Sequence, residues 1–275
     1  ELATLWNSVL NISRFGAMRL GQSALEATLV GHYLHPSAGK VSWKNLVEQA
    51  VSAKISISPD AALPSVIRNT PNTTLVQVRN ETTLVAGKRL HDQGVRPLAL
   101  NLANGIHPGG GFLSGARAQE EVLCRSSALY ATLVGDPMYA FHLARPLPDS
   151  SEWTILSPDV PVFRNDQGEA LPQPWPCSFI TCAAPYAHSL DSSLSRNLLN
   201  KRIHRVLGIA EAFGFKDLVL GAWGCGAFGN DPSATAADFK EALAGDFAGV
   251  FRQVVFAITD WSPNRKFLGP FRDTF

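Results

Sequence analysis

The sequence predicts an α/β fold: a mixed, mostly parallel sheet enclosed by helices in a three-layer α/β/α sandwich. Two observations support this prediction. Apolar strand segments alternate with helical segments along most of the 275-residue chain, and the strand segments are apolar at nearly every position instead of every second one. Strands that are apolar on both faces are typical of a sheet covered by helices on both sides.

Five core strands are predicted from short apolar runs rich in β-branched residues. They span residues 74–78, 97–103, 179–183, 218–221 and 254–258. Helical patterns cover residues 20–34, 82–92, 117–133, 193–213 and 232–243. We expect the proline-rich stretch 135–173 to be irregular apart from a short strand at 153–156. Ligands of such sheets bind beyond the carboxyl ends of the strands, so the loops that follow the strands form the candidate site.

The composition is that of an ordinary globular protein and argues against several classes. Hydrophobic residues make up 45% and charged residues 17% of the chain, and no apolar run is long enough to cross a membrane. The formal net charge is +1, whereas a protein that holds a polyanion by charge alone would be far more basic. An anionic ligand would therefore need a shaped pocket, and we predict no sequence-specific binding of nucleic acid.

The cysteines and histidines give no sign of a metal or cofactor site. Cys124, Cys177, Cys182 and Cys225 lack CxxC spacing, and the histidines show no metal-ligand spacing. We therefore expect free thiols in a reducing compartment, a cytoplasmic protein, and chemistry that needs neither a metal nor a cofactor. We also expect a monomer.

The first candidate loop follows the strand at 97–103 and combines three glycines with two acidic residues. The run Gly109–Gly111 is costly in backbone entropy, which is justified where the backbone must approach a ligand closely. After seven intervening residues comes Gln119, followed by Glu120 and Glu121, near the start of a predicted helix. Adjacent helical side chains point about 100° apart, so the two carboxylates are predicted to have different roles.

The second candidate loop, residues 221–231, follows the strand at 218–221 and precedes a helix. Its four glycines would leave backbone amides free to bind a diphosphate at the start of that helix. Asn230 or Asp231 is predicted to cap the helix, with Pro232 in its first turn. Cys225 has no histidine partner in the sequence, so we predict packing for its side chain and not nucleophilic catalysis.

The pattern of three glycines, seven residues and Gln-Glu-Glu resembles the signature of poly(ADP-ribose) glycohydrolases of the macrodomain type, in particular the compact bacterial kind. The flanking residues 100–103 and 123–130 resemble the same family, and Asn104 matches an asparagine that macrodomains carry near the end of this strand. Residues 221–231 resemble the family's diphosphate-binding loop. The resemblance runs from about residue 78 to the end of the chain.

The resemblance implies a macrodomain-like catalytic domain at residues 61–275, with residues 1–60 as an N-terminal helical extension packed on it. It implies hydrolysis of the ribose–ribose bonds of poly(ADP-ribose), or action on ADP-ribosylated proteins, with ADP-ribose as product. Glu121 would be the catalytic general acid and base, and Glu120 would orient the substrate. The implied ADP-ribose-binding residues are Thr82, Asn104, Gly109, Gly110, Gly111, Gln119, Gly224, Cys225, Gly226, Ala227, Phe228, Gly229 and Asn230.

Three alternatives stay open in the sequence. A macrodomain that binds ADP-ribose without cleaving it would have no use for the acidic pair, which favours an enzyme. A mono-ADP-ribosylhydrolase differs in its substrate alone, and the Gln-Glu-Glu element favours polymer. A nucleotide-binding oxidoreductase is disfavoured because no GxGxxG motif opens a strand-turn-helix unit.

Overall fold

The computed structural model describes residues 11–68 and 73–275. The helices of this part of the chain are α1 (Arg14–Val30), α2 (Lys44–Ala53), α3 (Thr83–Asp92), α4 (Gln119–Ser126), α5 (Leu129–Leu133), α6 (Pro137–Leu143), α7 (Ser192–Ala212), α8 (Pro232–Ala244) and α9 (Leu268–Thr274). The strands are β1 (His32–His35), β2 (Gly39–Ser42), β3 (Ile55–Ile57), β4 (Leu75–Arg79), β5 (Pro97–Ala103), β6 (Thr154–Arg164), β7 (Ala170–Ala183), β8 (Asp217–Leu220) and β9 (Gln253–Ala257).

Seven of these strands form the central sheet, in the order β3-β6-β7-β5-β8-β9-β4. The strands from β7 to β4 in this order are parallel to their neighbours, whereas the β3–β6 and β6–β7 pairs are antiparallel. β1 and β2 form a separate antiparallel hairpin. The predicted α/β class with a mixed, mostly parallel sheet is therefore confirmed.

The side chains of the sheet alternate between two hydrophobic cores, which explains why the strands are apolar on both faces. Ala99 of β5 faces a core shared with helices α1 to α6, and Leu98 and Leu100 face the opposite core, shared with α7, α8 and α9. All three residues are at most 1% exposed. The molecule thus has the three layers that the sequence predicts.

The ends of several helices follow the sequence signals. Ser13 caps α1 by accepting the N–H of Gly16, and Gly31 ends the helix with a left-handed φ of 75°. Thr82 caps α3 in the same way. Of the two candidate caps of α8, it is Asp231 that accepts an N–H, from Ala234 at 2.7 Å.

Two predicted helices differ from the structure. The predicted helix at 20–34 is wrong at its end, because Gly31 stops α1 and the next residues form β1. The predicted helix at 117–133 is divided into α4 and α5. Ser127 between them is extended, with φ −146° and ψ 178°, and forms a bridge to Val162 of β6.

The prediction that residues 135–173 are mainly irregular is wrong. This stretch contains α6, all of β6 and the start of β7, which runs antiparallel to β6. Beyond Ser157 and before Ser178 the two strands form a ribbon that no other strand of the described residues joins, apart from the isolated bridge between Ser127 and Val162. A proline lacks an N–H, and it breaks fewer ladder bonds in such a ribbon than in the middle of a sheet.

The described part of the N-terminal segment shares a core with the sheet. Helices α1 and α2 cover one face, as expected of a helical extension, and β3 adds an edge strand to the sheet beside β6. Tyr33 and Trp43 pack against Phe163 of β6, with ring centroids 5.0 and 4.5 Å away. A domain boundary at residue 60 stays a prediction.

Candidate active site

A cavity of about 730 Å³ opens at the carboxyl edge of the parallel strands. Residues that follow β4, β5, β7, β8 and β9 all contribute to its wall. Examples are Thr82 after β4, Asn104 after β5 and Gly224 after β8. This is where a parallel α/β sheet is expected to bind its ligand. Both candidate loops of the sequence meet here.

The glycine run forms a tight turn against the acidic pair. Gly109 and Gly110 have φ of 71° and 56°, a left-handed conformation that side chains disfavour. A Cβ atom on Gly110 would lie 2.3 Å from Oε1 of Glu121 and 3.2 Å from Oε2 of Glu120. The glycines are therefore needed because two carboxylates lie directly on the turn.

One carboxyl oxygen of Glu121 is hydrogen-bonded, and the other has no partner within the described residues. The N–H of Gly111 donates a hydrogen bond to Oε1 across 3.0 Å. The side chain is 8% exposed and borders the cavity, and Oε2 has no hydrogen-bond partner within the described residues. A buried carboxyl oxygen without a protein partner is costly, and a ligand in the cavity would satisfy it.

Glu120 is tied to the end of β5. Its Oε2 accepts the backbone N–H of Asn104 at 2.7 Å, and its Oε1 accepts a bond from the side-chain amide of Asn101 at 3.2 Å. Burial raises the pKa of Glu120 to about 8, and the charge of Glu121 adds to the rise, while the bonds from Asn104 and Asn101 oppose it. The two bonds favour the charged carboxylate, but they do not offset the cost of burying it.

Gln119 has a structural partner for each of its amide atoms. Its Oε1 accepts the N–H of Leu102 at 2.9 Å, and its Nε2 donates to the carbonyl of Leu100 at 2.7 Å and to Thr83 Oγ1 at 3.0 Å. The pairing of β5 with β8 stops at Ala99, so the side chain of Gln119 takes over the bonds of a neighbouring strand. Gln119 also lines the cavity, and its contact with ADP-ribose stays a prediction.

The second loop forms another wall of the cavity. Gly224, Gly226, Ala227 and Phe228 line it. Asn230 lies behind them, where its Nδ2 donates to the carbonyls of Pro185 at 2.9 Å and Gly224 at 3.2 Å, and its Oδ1 accepts from Ser195. Asn230 therefore fastens the loop to its surroundings, and its contact with the ligand stays a prediction.

Cys225 is a packing residue in this geometry. It is 4% exposed, and its Sγ lies 3.5 Å from the carbonyl of Trp223 and 3.6 Å from Thr235 Oγ1. Burial raises the pKa of the Cys225 thiol to about 12. A nucleophilic cysteine needs a lowered pKa, so the thiol stays protonated and inert.

The structure brings most of the predicted site residues together. Those that line the cavity are Thr82, Asn104, Gln119, Glu120, Glu121, Gly224, Gly226, Ala227 and Phe228. Those absent from its described lining are Gly109, Gly110, Gly111, Cys225, Gly229 and Asn230. The second group supports the first, as Gly111 supports Glu121 and Asn230 supports Gly224.

Several side chains of the cavity were not predicted from the sequence. Trp261 and Phe267 follow β9, and Glu81 follows β4, so the rule that ligands bind at the carboxyl ends of strands would have found them. Arg117 and Arg125 also line the cavity. Arg125 is 5% exposed and burial lowers its pKa, although the Asp166 and Glu121 carboxylates oppose that shift.

Comparisons with known proteins agree with this geometry. The model of the family described as microbial-type PARG, catalytic domain, matches residues 21–165. No curated protein sequence matches the chain.

Solved structures of poly(ADP-ribose) glycohydrolase (PARG) resemble the whole fold. The enzyme from Thermomonospora curvata is 39% identical, with a TM-score of 0.89 over 94% of this chain and 99% of that one. The same enzyme bound to the inhibitor ADP-HPD is 38% identical, with a TM-score of 0.87 and the same coverage. The enzyme from Deinococcus radiodurans in complex with ADP-ribose is 37% identical, with a TM-score of 0.76 over 83% of this chain and 96% of that one. The chain belongs to the microbial-type family of poly(ADP-ribose) glycohydrolase catalytic domains.

Proposed function

We propose that this protein hydrolyses the ribose–ribose O-glycosidic bonds of poly(ADP-ribose) and releases ADP-ribose, with Glu121 as general acid and base. One observation carries the assignment of Glu121. Its Oε1 accepts the N–H of Gly111, its Oε2 has no partner in the described chain, and the residue lines the cavity. Oε2 is therefore the oxygen left to carry the proton that passes to a substrate.

The reaction proceeds in two steps. In the first, Oε2 of Glu121 gives its proton to the ribose oxygen that departs, while the bond from that oxygen to the anomeric carbon of the terminal unit breaks. The electron pair of the bond leaves with the oxygen, and positive charge develops on the terminal ribose. In the second step the Glu121 carboxylate takes a proton from water, whose oxygen bonds to the anomeric carbon. Glu121 is then protonated again.

Glu120 and Asn104 position the distal ribose in this proposal. The bond between the Asn104 N–H and Glu120 fixes the end of β5 beside the catalytic acid. Because burial raises the pKa of Glu120, the acidic pair carries less negative charge than two exposed carboxylates would, and it repels an anionic substrate less.

The rest of the cavity suits a nucleotide diphosphate. Gly224 and Gly226 carry no side chains that would block their amides, and Arg117 and Arg125 add positive charge. The rings of Phe228, Trp261 and Phe267 offer aromatic surface for the adenosine part. Two of the related enzymes were crystallised with ADP-ribose or with ADP-HPD, which supports a ligand of this class.

The cellular setting is part of the same proposal. The four cysteines are free and buried, which is compatible with the cytoplasmic location expected from the sequence. None of the helices in the described ranges is long and apolar enough to cross a membrane. Within those ranges no group of three or more histidine, cysteine or acidic side chains could hold a metal ion.

The direct test uses labelled poly(ADP-ribose) of defined length and, in parallel, a protein that carries single ADP-ribose units. We expect free ADP-ribose from the polymer and slow or no release from the mono-modified protein. Tight binding of polymer without any release would mean that the protein is a reader. Faster release from the mono-modified protein would make it a mono-ADP-ribosylhydrolase.

A further inference from the structure

We propose that helix α1 is the support on which the catalytic turn rests, and that Gly21 is a positioning residue for Glu121. This inference rests on the proposed role of Glu121 as general acid. It gives a function in catalysis to the N-terminal segment, from which the sequence analysis drew no site residue.

The first observation is a close contact between two backbones. Gly21 lies in the middle of α1 and is buried. A Cβ atom at this position would lie 2.4 Å from the carbonyl oxygen of Phe112 and 3.0 Å from its carbonyl carbon. Any side chain at residue 21 would therefore push against the backbone of the loop, which cannot yield as a flexible side chain would.

The second observation is the short path from Phe112 to the catalytic carboxyl group. Phe112 directly follows Gly111, whose N–H donates to Oε1 of Glu121 at 3.0 Å. The N–H of Phe112 donates to the carbonyl of Gly109 at 3.3 Å, which closes the turn. A displacement of Phe112 is therefore passed on to the atom that holds Glu121 in place.

The third observation is that α1 is fastened to the same loop at its start. Nε of Arg14 donates to the carbonyl of Ser114 at 3.1 Å, and Nη1 of Arg117 donates to the carbonyl of Ile12 at 2.8 Å. Gly115 in this loop has a φ of 84°. A Cβ atom at this residue would lie 2.1 Å from the carbonyl oxygen of Arg14, so only a glycine allows α1 to approach this closely. The helix cannot move away from the turn without breaking these contacts.

The Gly21→Ala variant tests whether α1 positions the catalytic turn or only contributes to the stability of the fold. Alanine is the better helix former, so α1 itself is not weakened by the change. If α1 supports the turn, the added methyl group displaces Phe112 and Gly111, and a misplacement near 1 Å can cost about 10²-fold in rate. We expect kcat on poly(ADP-ribose) to fall at least about tenfold, while the Kd of ADP-ribose stays within about threefold of the wild type.

A matched control is available in α7. A Cβ atom on Gly208 would have its nearest neighbour, Leu63 Cδ1, at 3.5 Å, which is an ordinary contact. Gly208→Ala should therefore leave kcat unchanged. A folded Gly21→Ala protein with wild-type kcat would overturn the inference, as would equal losses of kcat in both variants.

A milder pair of variants covers the case in which Gly21→Ala does not fold. Arg14 is exposed, and Arg14→Met removes its hydrogen bond to the carbonyl of Ser114. Arg19→Met is the control, because Arg19 is another exposed arginine of α1, whose guanidinium lies over the Phe15 ring. We expect kcat to fall about threefold in Arg14→Met alone, with unchanged KM. This is the size of effect expected when one hydrogen bond is lost. Unchanged kcat in a folded Arg14→Met protein would overturn the inference.

Glu121→Gln in the same assay distinguishes the two proposals. If Glu121→Gln kept wild-type activity, the proposed function of Glu121 would fail, and this inference with it. If Glu121→Gln is inactive and folded Gly21→Ala is fully active, only the supporting role of α1 is refuted.

Discussion

Gly110 and Glu121 are in direct contact: a Cβ atom on the glycine would lie 2.3 Å from Oε1 of the carboxylate. The same position would lie 3.2 Å from Oε2 of Glu120. The glycine run and the acidic pair, separated by eight residues in the chain, thus form one compact unit. The glycines allow the carboxylates to approach the turn, and the N–H of Gly111 holds Glu121 in return.

Gly110→Ala should abolish most of the activity because the new methyl group displaces Glu121. We expect kcat to fall by about 10²-fold or more, the scale of general acid catalysis. The left-handed φ of 56° also costs the alanine about 1 kcal/mol of stability.

Gly39→Ala is the control, because Gly39 has a similar φ of 67° and no heavy atom within 4 Å of its Cβ position. Both variants should lose stability in thermal melts, Gly110→Ala at least as much as Gly39→Ala, and only Gly110→Ala should lose activity. Equal activities would contradict the contact between the turn and Glu121.

Glu120→Gln should change how stability depends on pH. The pKa of Glu120 is about 8 in the folded protein against 4.5 as its ordinary value, so the folded state binds this proton more tightly than the unfolded state. Its contribution to stability is therefore complete below pH 4.5 and is lost as the pH rises through 8, at about 1.4 kcal/mol per pKa unit. A glutamine cannot ionise, so thermal melts should show the wild type losing stability relative to Glu120→Gln over this range. A constant difference in melting temperature from pH 5 to 8.5 would refute the raised pKa.

Gln119→Leu should affect stability more than ligand binding. The change leaves the carbonyl of Leu100 and the N–H of Leu102 without the partners that Gln119 supplies, at about 1–3 kcal/mol for each buried group. We expect a lower melting temperature and nearly unchanged affinity of the folded protein for ADP-ribose in calorimetry. Gln22→Leu, at an exposed position of α1, serves as the control. An unchanged melting temperature with lost affinity would instead favour the ribose contact predicted from the sequence.

Gly226→Ala tests the diphosphate loop without disturbing the free protein. Gly226 borders the cavity, and no heavy atom lies within 4 Å of its Cβ position, so the melting temperature should not change. A methyl group there would stand between the loop amides and a phosphate. We expect weaker binding of ADP-ribose and unchanged binding of adenosine, which has no phosphate. Equal affinities of wild type and variant for ADP-ribose would show that the loop does not hold the diphosphate.

Much of the fold could be predicted because the parallel strands carry strong local signals. β5 was predicted with its observed bounds, Pro97–Ala103, since its apolar run is buried on both faces. β6 and β7 were missed over most of their length, because the prolines in them are unfavourable in a sheet. Only the tertiary structure shows that these residues lie in a two-stranded ribbon that no other described strand joins.

The sequence could predict that the two loops lie at the same edge of the sheet, because they follow β5 and β8. It could not predict which partners the polar groups of these loops bind. Gly111 was predicted to bind ADP-ribose, and the structure shows that its N–H donates to Glu121. Asn230 was predicted to bind ADP-ribose as well, and its side-chain amide fastens the loop to Pro185. Both outcomes depend on distant residues whose positions the local sequence does not encode.

The most direct test of the account is the rate of ADP-ribose release from defined-length poly(ADP-ribose) by wild type and Glu121→Gln. Glutamine keeps the size of the side chain and an oxygen for the N–H of Gly111, but it has no proton to give. We expect release to fall by at least about 10²-fold while the affinity for ADP-ribose is retained. Near wild-type release by a folded Glu121→Gln protein would contradict the central claim.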